Sequence, residues 1–246
     1  MPWLILALLA LPAPPSEASG RPEIVDRAIQ FHGGERYTAS ETRFNLCSKS
    51  GCFEVLAKVD GGSFLYDVAG KVRDGQRRVR VTNDTVELWS QGTPTTVPPE
   101  RRQALADWAM ARVYFVFLPY RLGDPSARIQ DLGEERWGGR ELHRIKVTFE
   151  PGSSTDADDE FLYWFDPETA RLEQFAYSYA GNPGGLRFRR LINYRRVGGI
   201  LFFDQENLGT EGHGLSVDSL SEETVKDLRS ISTVRVNGLR VSPSPP

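Results

Sequence analysis

Three histidines, two cysteines and one acidic run supply the side chains from which a metal centre, a redox pair or a general acid and base could be built. His32, His143 and His213 fall in a helix stop, a strand and a glycine-rich loop, and no two have the spacing of metal ligands. His143 shares its parity with Ile145 and Val147, on the apolar side of a strand. There it could orient a headgroup or act as a base, although a hydrogen-bonded histidine at the mouth of a core is the commoner outcome. Asp156, Asp158, Asp159 and Glu160 mimic the start of a calcium loop. Phe161 stands where the turn glycine belongs and Pro167 where the closing glutamate belongs, so a solvated hairpin loop is the better account. The chain has no Gly-x-Ser-x-Gly elbow, no phosphate-binding glycine loop and no dinucleotide fingerprint. The pattern argues against an enzyme and calls for no cofactor and no metal.

Cys47 and Cys52 are the only cysteines. If 42–47 and 52–57 pair as a hairpin across Ser48-Lys49-Ser50-Gly51, Cys47 faces Cys52, Leu46 faces Phe53 and Phe44 faces Val55. That register puts four apolar side chains on one face and both sulfurs on the other. In an exported protein, opposed cysteines read as a disulfide.

Export is itself predicted. Leu4–Leu11 is a short apolar run, broken by Pro12, Pro14 and Pro15, and Ser16-Glu17-Ala18 offers small residues for cleavage after Ala18. The run is far shorter than the roughly 20 residues of a membrane helix. Residues 1–18 therefore read as a signal peptide, with no transmembrane segment in the mature chain and a periplasmic or secreted location. Lys and Arg number 30 against 33 Asp and Glu, a formal charge of −3 that gives no support to nucleic-acid binding. Local basic clusters at Arg77, Arg78 and Arg80, and at Arg187, Arg189, Arg190, Arg195 and Arg196, read as the wet face of twisted strands. Their alternative use is to meet anionic headgroups or an acidic envelope partner.

The elements that would position these groups follow from periodicity. Pro22–Phe31 reads as a short helix ended by His32-Gly33-Gly34. Five strands follow: 42–47, 52–59, 63–70, 77–81 and 85–90. From Pro98 to Leu118 the period becomes helical, with Ala104, Trp108, Ala111, Phe115 and Leu118 on one stripe and an all-apolar second half. A second ladder begins near Ile129. In it His143, Ile145, Val147 and Phe149 alternate with charge, as do Phe161, Tyr163 and Phe165, then Phe175, Tyr177 and Tyr179, then Leu186, Phe188, Ile192 and Tyr194. This predicts one buried, aromatic face and one wet face. Gln205–Leu220 reads as a loop, Ile231–Val236 as a last strand and 242–246 as a disordered tail. The fold class is α+β, with an antiparallel sheet in a single domain over residues 19–241.

With a Trp-bearing helix ending in Leu118-Pro119-Tyr120, the run Trp164-Phe165-Asp166-Pro167, and Tyr194 leading into Val197-Gly198-Gly199-Ile200, the chain resembles uncharacterised exported bacterial proteins. Their superfamily includes the periplasmic lipoprotein carriers and outer-membrane lipoprotein receptors. The resemblance spans roughly Glu23 to Val236. It implies a strongly curved antiparallel sheet, a half-open barrel, with helices covering the concave face and a hydrophobic ligand such as a lipid or acyl chain in the hollow. The residues expected to line that hollow are Phe44, Leu46, Phe53, Val55, Phe64, Tyr66, Trp108, Phe115, Ile145, Phe149, Phe175, Tyr177, Phe188 and Tyr194. The alternative is a non-enzymatic envelope interaction or scaffold protein in which the same residues pack a solid core.

Overall fold

A computed structural model describes residues 21–244 apart from 61, 74, 150–158 and 180–183. The expected signal peptide lies outside the described residues. Its cleavage site, Asp156 and Asp158 of the acidic run and the last two prolines do so as well.

The first ladder consists of β1 (Ser40–Ser48), β2 (Gly51–Asp60), β3 (Ser63–Val72), β4 (Gly75–Thr82), β5 (Val86–Ser90) and the short β6 (Thr93–Thr95). The second consists of β7 (Ala127–Trp137), β8 (Arg140–Phe149), β9 (Glu160–Phe165), β10 (Leu172–Tyr179), β11 (Gly185–Val197) and β12 (Ile200–Glu211). A long last strand, β13 (Arg229–Pro243), pairs with β12 through its first half and with β1 through its second. It fuses the ladders into one open, all-antiparallel sheet of 13 strands, ordered β6-β5-β4-β3-β2-β1-β13-β12-β11-β10-β9-β8-β7. This is the curved half-barrel expected. Residues 242–244, expected in a disordered tail, are ordered: Ser242 and Pro243 pair with β1, and Ser244 N–H donates to Ala39 O.

The β1–β2 hairpin has the register read from the sequence, with Cys47 opposite Cys52, Leu46 opposite Phe53 and Phe44 opposite Val55. The two cysteines form a disulfide with Cα atoms 4.1 Å apart. At the other end of the sheet β11 turns into β12 through Gly198 and Gly199, both with positive φ, and a Cβ on Gly198 would lie 2.5 Å from Val241 Cβ. Only glycine fits there.

Among the described residues three helices flank the sheet: α1 (Glu23–His32), α2 (Pro99–Tyr114) and α3 (Glu222–Lys226). The second starts behind Pro98 with proline in its first turn, as expected. It ends at Tyr114, before the expected Leu118, and buries Leu105, Ala106, Ala109 and Val113 rather than the Ala104/Trp108/Ala111 stripe. The apolar run continues as a tight turn, in which Val116 and Phe117 N–H both donate to Val113 O, and Val116, Phe117 and Leu118 are all buried. A segment sunk on every side needs no amphipathic period, which is why the run reads as more helix.

Two clusters lie on the helix side of the sheet. Under α2, Phe44, Val55, Tyr66, Val68, Val79 and Val81 close a packed core. Ile24, Val25 and Ala28 of α1 cover Ile145, Val147, Tyr163, Phe165, Phe175 and Leu191 in the other half. Burying each large aliphatic or aromatic side chain contributes roughly 1.5–3 kcal/mol. A third cluster corrects the expectation of a wet outer face. Leu142, Leu162, Trp164, Ala176, Leu186 and Phe188 are buried on the far side of the second ladder, beneath Val217, Leu220 and Val225. Lys146 pins that cover by ion pairs to Glu160 at 3.0 Å and Asp218 at 2.7 Å. The continuous run Phe161-Leu162-Tyr163-Trp164-Phe165, buried at every position, is the mark of a strand covered on both faces.

Gln205–Glu211, read as loop, is the second half of β12. Two of its polar residues are buried: Gln205 Nε2 donates to Phe115 O at 3.2 Å and Asn207 Nδ2 to Ser232 Oγ at 3.2 Å. Asp204 accepts from Arg195, Asn193 and the Val236 N–H.

Candidate functional site: an aromatic pocket at the end of α2

The residue that decides which side chains meet is Asn193. It has φ of +54°, and the β11–β12 register shifts between Ile192 and Arg195. Such a bulge reverses the parity of everything beyond it. Tyr194 packs on the helix side, whereas Phe188 points outward and stacks on Trp137 at 5.8 Å. Arg187 and Arg189, read as outer-face residues, consequently project toward the helices.

Between the last turns of α2, the segment 115–126 and the ends of β8–β11 lies a pocket of about 470 Å³. That is within the usual range for small-molecule sites, roughly 300–1,000 Å³. Phe149, Phe161 and Tyr177 wall it from the sheet, and Met110, Tyr114 and Phe115 from the helix side. Strand register sets the sheet wall, since Tyr177 stands opposite Phe161 on one side and Arg187 on the other. Phe115 stacks on Phe175 at 5.3 Å and on Tyr177 at 5.4 Å, and Phe161 on Tyr177 at 5.5 Å. Offset stacks of this kind add about 0.5–1.5 kcal/mol per pair to area burial and keep the wall rigid. Tyr114 Oη and Tyr163 Oη share a 3.2 Å hydrogen bond, and burial pushes the Tyr114 phenol up to about 12, so it stays protonated.

Polar groups gather at the rim. Arg187 donates to Leu186 O at 3.1 Å, Thr210 O at 2.9 Å and Tyr179 Oη at 2.6 Å. Gly209 makes room for it: a Cβ there would come within 2.8 Å of Arg187 Cδ. Arg121 pairs with Asp124 at 2.8 Å and donates to Tyr66 Oη at 3.1 Å. Burial raises the Asp124 carboxyl above its ordinary value, against the pull of Arg121. Asp107 and Asp159 complete the rim. Arg189, 9% exposed, lies behind the wall, 5.8 Å from the Phe115 ring centre and 5.9 Å from that of Tyr177. The arrangement can bury a slender apolar group against rings and leave a polar end at the rim.

Of the residues expected to line a hollow, Phe115, Phe149 and Tyr177 wall this pocket. Ile145, Phe175 and Tyr194 belong to the core behind it, where Tyr194 Oη donates to Leu172 O at 2.6 Å. Phe44, Leu46, Phe53, Val55, Phe64, Tyr66 and Trp108 pack with the core under α2. Phe188 is on the outer face. Phe161 carries a visible parity signal; Tyr114 is the last residue of α2, Arg121 and Asp124 sit in a non-periodic segment, and Arg187 is legible only once the bulge is placed.

The remaining candidates for chemistry are dispersed. His143 Nε2 lies 2.7 Å from Asp131 Oδ1, His213 is exposed, and His32 is buried between α1 and the sheet. Among the described residues no group of three His, Cys, Asp or Glu could hold a metal ion. No helix among them is long and apolar enough to cross a membrane.

The architecture is an open antiparallel sheet with α1 and α2 on one side and a pocket between them and the sheet. The chain belongs to a family of unknown function, DUF6503, whose profile matches residues 15–235. No curated protein matches it by sequence. Among solved structures it is similar to a LolA superfamily protein from Nitrosomonas europaea, with TM-score 0.54 and 11% identity over 90% of this chain and 93% of that one. It is also similar to a domain described as an outer membrane lipoprotein-sorting protein from Vibrio parahaemolyticus, with TM-score 0.53 and 12% identity over 89% and 91%. A DUF1329 family protein from Desulfovibrio piger follows, with TM-score 0.50 and 11% identity over 88% and 91%. At these identities the likeness is one of fold.

Proposed function

We propose that the protein is an exported, non-catalytic binding or carrier protein for a hydrophobic ligand, a lipid or acylated molecule, held between the sheet and the end of α2. The observation that carries this reading is the pocket of about 470 Å³ walled by Phe149, Phe161, Tyr177, Tyr114 and Phe115. Burial is the mechanism: each methylene removed from water contributes about 0.8 kcal/mol, and the stacked rings need no rearrangement to receive it. The fold shared with lipoprotein-sorting proteins and the Cys47–Cys52 disulfide support an exported carrier.

The packed core under α2 favours a second reading, a scaffold that meets an envelope protein and carries nothing. Ala111 separates the two, because it is exposed on α2 and lines the pocket. Wild-type protein should take up a fluorescent fatty-acyl probe, and native mass spectrometry of protein from its own envelope should find a bound lipid. Ala111→Trp should fill the space, abolish uptake and leave the unfolding midpoint unchanged. Failure of the wild type to take up any of several acyl probes would reject the carrier in favour of the scaffold.

A further inference from the structure

On the other side of α2 from the pocket a second group of side chains converges. Trp108 and Arg112, one helical turn apart, face a row that runs straight across the first ladder: Leu46, Phe53, Gly70, Arg77, Ser90. Gly70 has to be glycine for this geometry, since a Cβ there would lie 2.6 Å from Phe53 Cδ1. With that space open, the Phe53 ring meets Trp108 edge-on at 5.6 Å. The Arg112 guanidinium sits against both rings, 3.8 Å from the Trp108 centre and 4.5 Å from that of Phe53, and Arg77 approaches the same Trp108 at 5.8 Å.

Two guanidiniums thus share one indole. Arg112 Nη1 donates to Trp108 O, and its Nε is buried without a partner among the described residues. Burial, then the like charge of Arg77, lowers the Arg112 pKa to about 10. Among the described residues no carboxylate enters that balance. Elsewhere the chain answers clustered arginines with acid: Arg78 and Arg80, on the opposite face of β4, both grip Asp67. Among the described residues this pair of cations has no acid partner, and on a half-buried Trp and Phe it has the composition of a site for an anion at an apolar boundary.

We propose that Arg77 and Arg112 bind the phosphate of an anionic phospholipid headgroup, with Trp108 and Phe53 seated at the headgroup level, so that this end of the first ladder docks on a membrane surface. Planar guanidinium forks match phosphate oxygens, and indole rings favour the bilayer interface. The reading goes beyond that of the pocket and does not depend on what the pocket holds.

The test uses the whole mature protein with vesicles of phosphatidylcholine alone and of phosphatidylcholine with phosphatidylglycerol, read by co-sedimentation and by tryptophan fluorescence. Wild type should bind only the anionic vesicles and lose binding in high salt. Arg77→Gln, at a half-exposed position, should weaken binding several-fold, with acyl-probe uptake unchanged. Arg112→Lys should weaken it less than Arg112→Gln. Arg36→Gln, an equal change of charge at an exposed site remote from the row, should leave it unaltered. Equal binding to both vesicle types, or equal losses in Arg77→Gln and Arg36→Gln, would overturn the proposal. So would saturation of the fluorescence change by inorganic phosphate without vesicle binding, which would mark a free-phosphate site.

Discussion

His32, the last residue of α1, accepts the backbone N–H of Leu172 through Nε2 at 3.1 Å, tying the N-terminal helix to the second ladder across 140 residues of sequence. The ring is fully buried. Burial first, and then the Arg196 charge, lowers its pKa from 6.5 to about 3. Between those values the unfolded chain binds a proton that the folded chain refuses. Stability should therefore be complete above pH 6.5 and fall as the pH drops toward 3, by at most about 1.4 kcal/mol per pH unit. Denaturant unfolding at pH about 7 and about 4.5 measures this slope, and His32→Gln should flatten it.

Asp67 should add a second, more acidic loss. Burial works against its carboxylate, but Arg78 at 2.6 Å and Arg80 at 2.8 Å hold the pKa below 3.8. With the folded pKa depressed, the contribution is present above the unfolded value and disappears as the pH falls through the folded one. Asp67→Asn should cost about 1–3 kcal/mol at neutral pH by leaving two guanidiniums without an anion. Equal unfolding curves for variant and wild type would refute it.

Phe117 and Phe115, two residues apart, should behave differently on truncation. Phe117 is 1% exposed in the core under α2, so Phe117→Ala should cost roughly 3–5 kcal/mol and leave uptake of an acyl probe intact in the folded fraction. Phe115 is partly exposed at the pocket wall; Phe115→Ala should cost less and change probe affinity. Calorimetry with probe titration distinguishes the two.

The disulfide closes a loop with a sequence separation of only 5. Its entropic contribution should therefore be no more than about 2–3 kcal/mol. Unfolding with and without reductant gives the number, and thiol labelling of the denatured, unreduced chain should find no free thiol.

Export should remove residues 1–18. N-terminal sequencing of protein recovered from the envelope should begin after Ala18, and an intact Met1 there would contradict the assignment.

Much of the fold was legible because the first ladder obeys local rules: turns at Asn83-Asp84, alternation along β2 and β4, and a cysteine pair that fixes register. The second ladder obeys them less well, for identifiable reasons. Its outer face is covered by the 215–228 segment, so burial no longer marks the helix side, and the bulge at Asn193 sends Phe188 and Tyr194 to opposite faces although their numbers share parity. Arg187 entered the site through the same shift. Polar Gln205 and Asn207 disguised a strand as a loop, because their partners, Phe115 O and Ser232, come from distant parts of the chain. Arg121 and Asp124 at the rim belong to a segment without a period, where only tertiary contact decides which way a side chain turns.

A sheet that never closes keeps two edges, and each is a template on which another chain could grow. Here the two ends of the order are blunted differently. At one, β6 is only 3 residues long and its central Pro94 has no N–H to offer. At the other, β7 is 11 residues long, but its register breaks between Asp131 and Gly133, and Arg128, Asp131, Glu134 and Arg136 are exposed along it. A kinked, charged edge pairs poorly with a copy of itself. The sheet can thus stay open without opening the way to fibres.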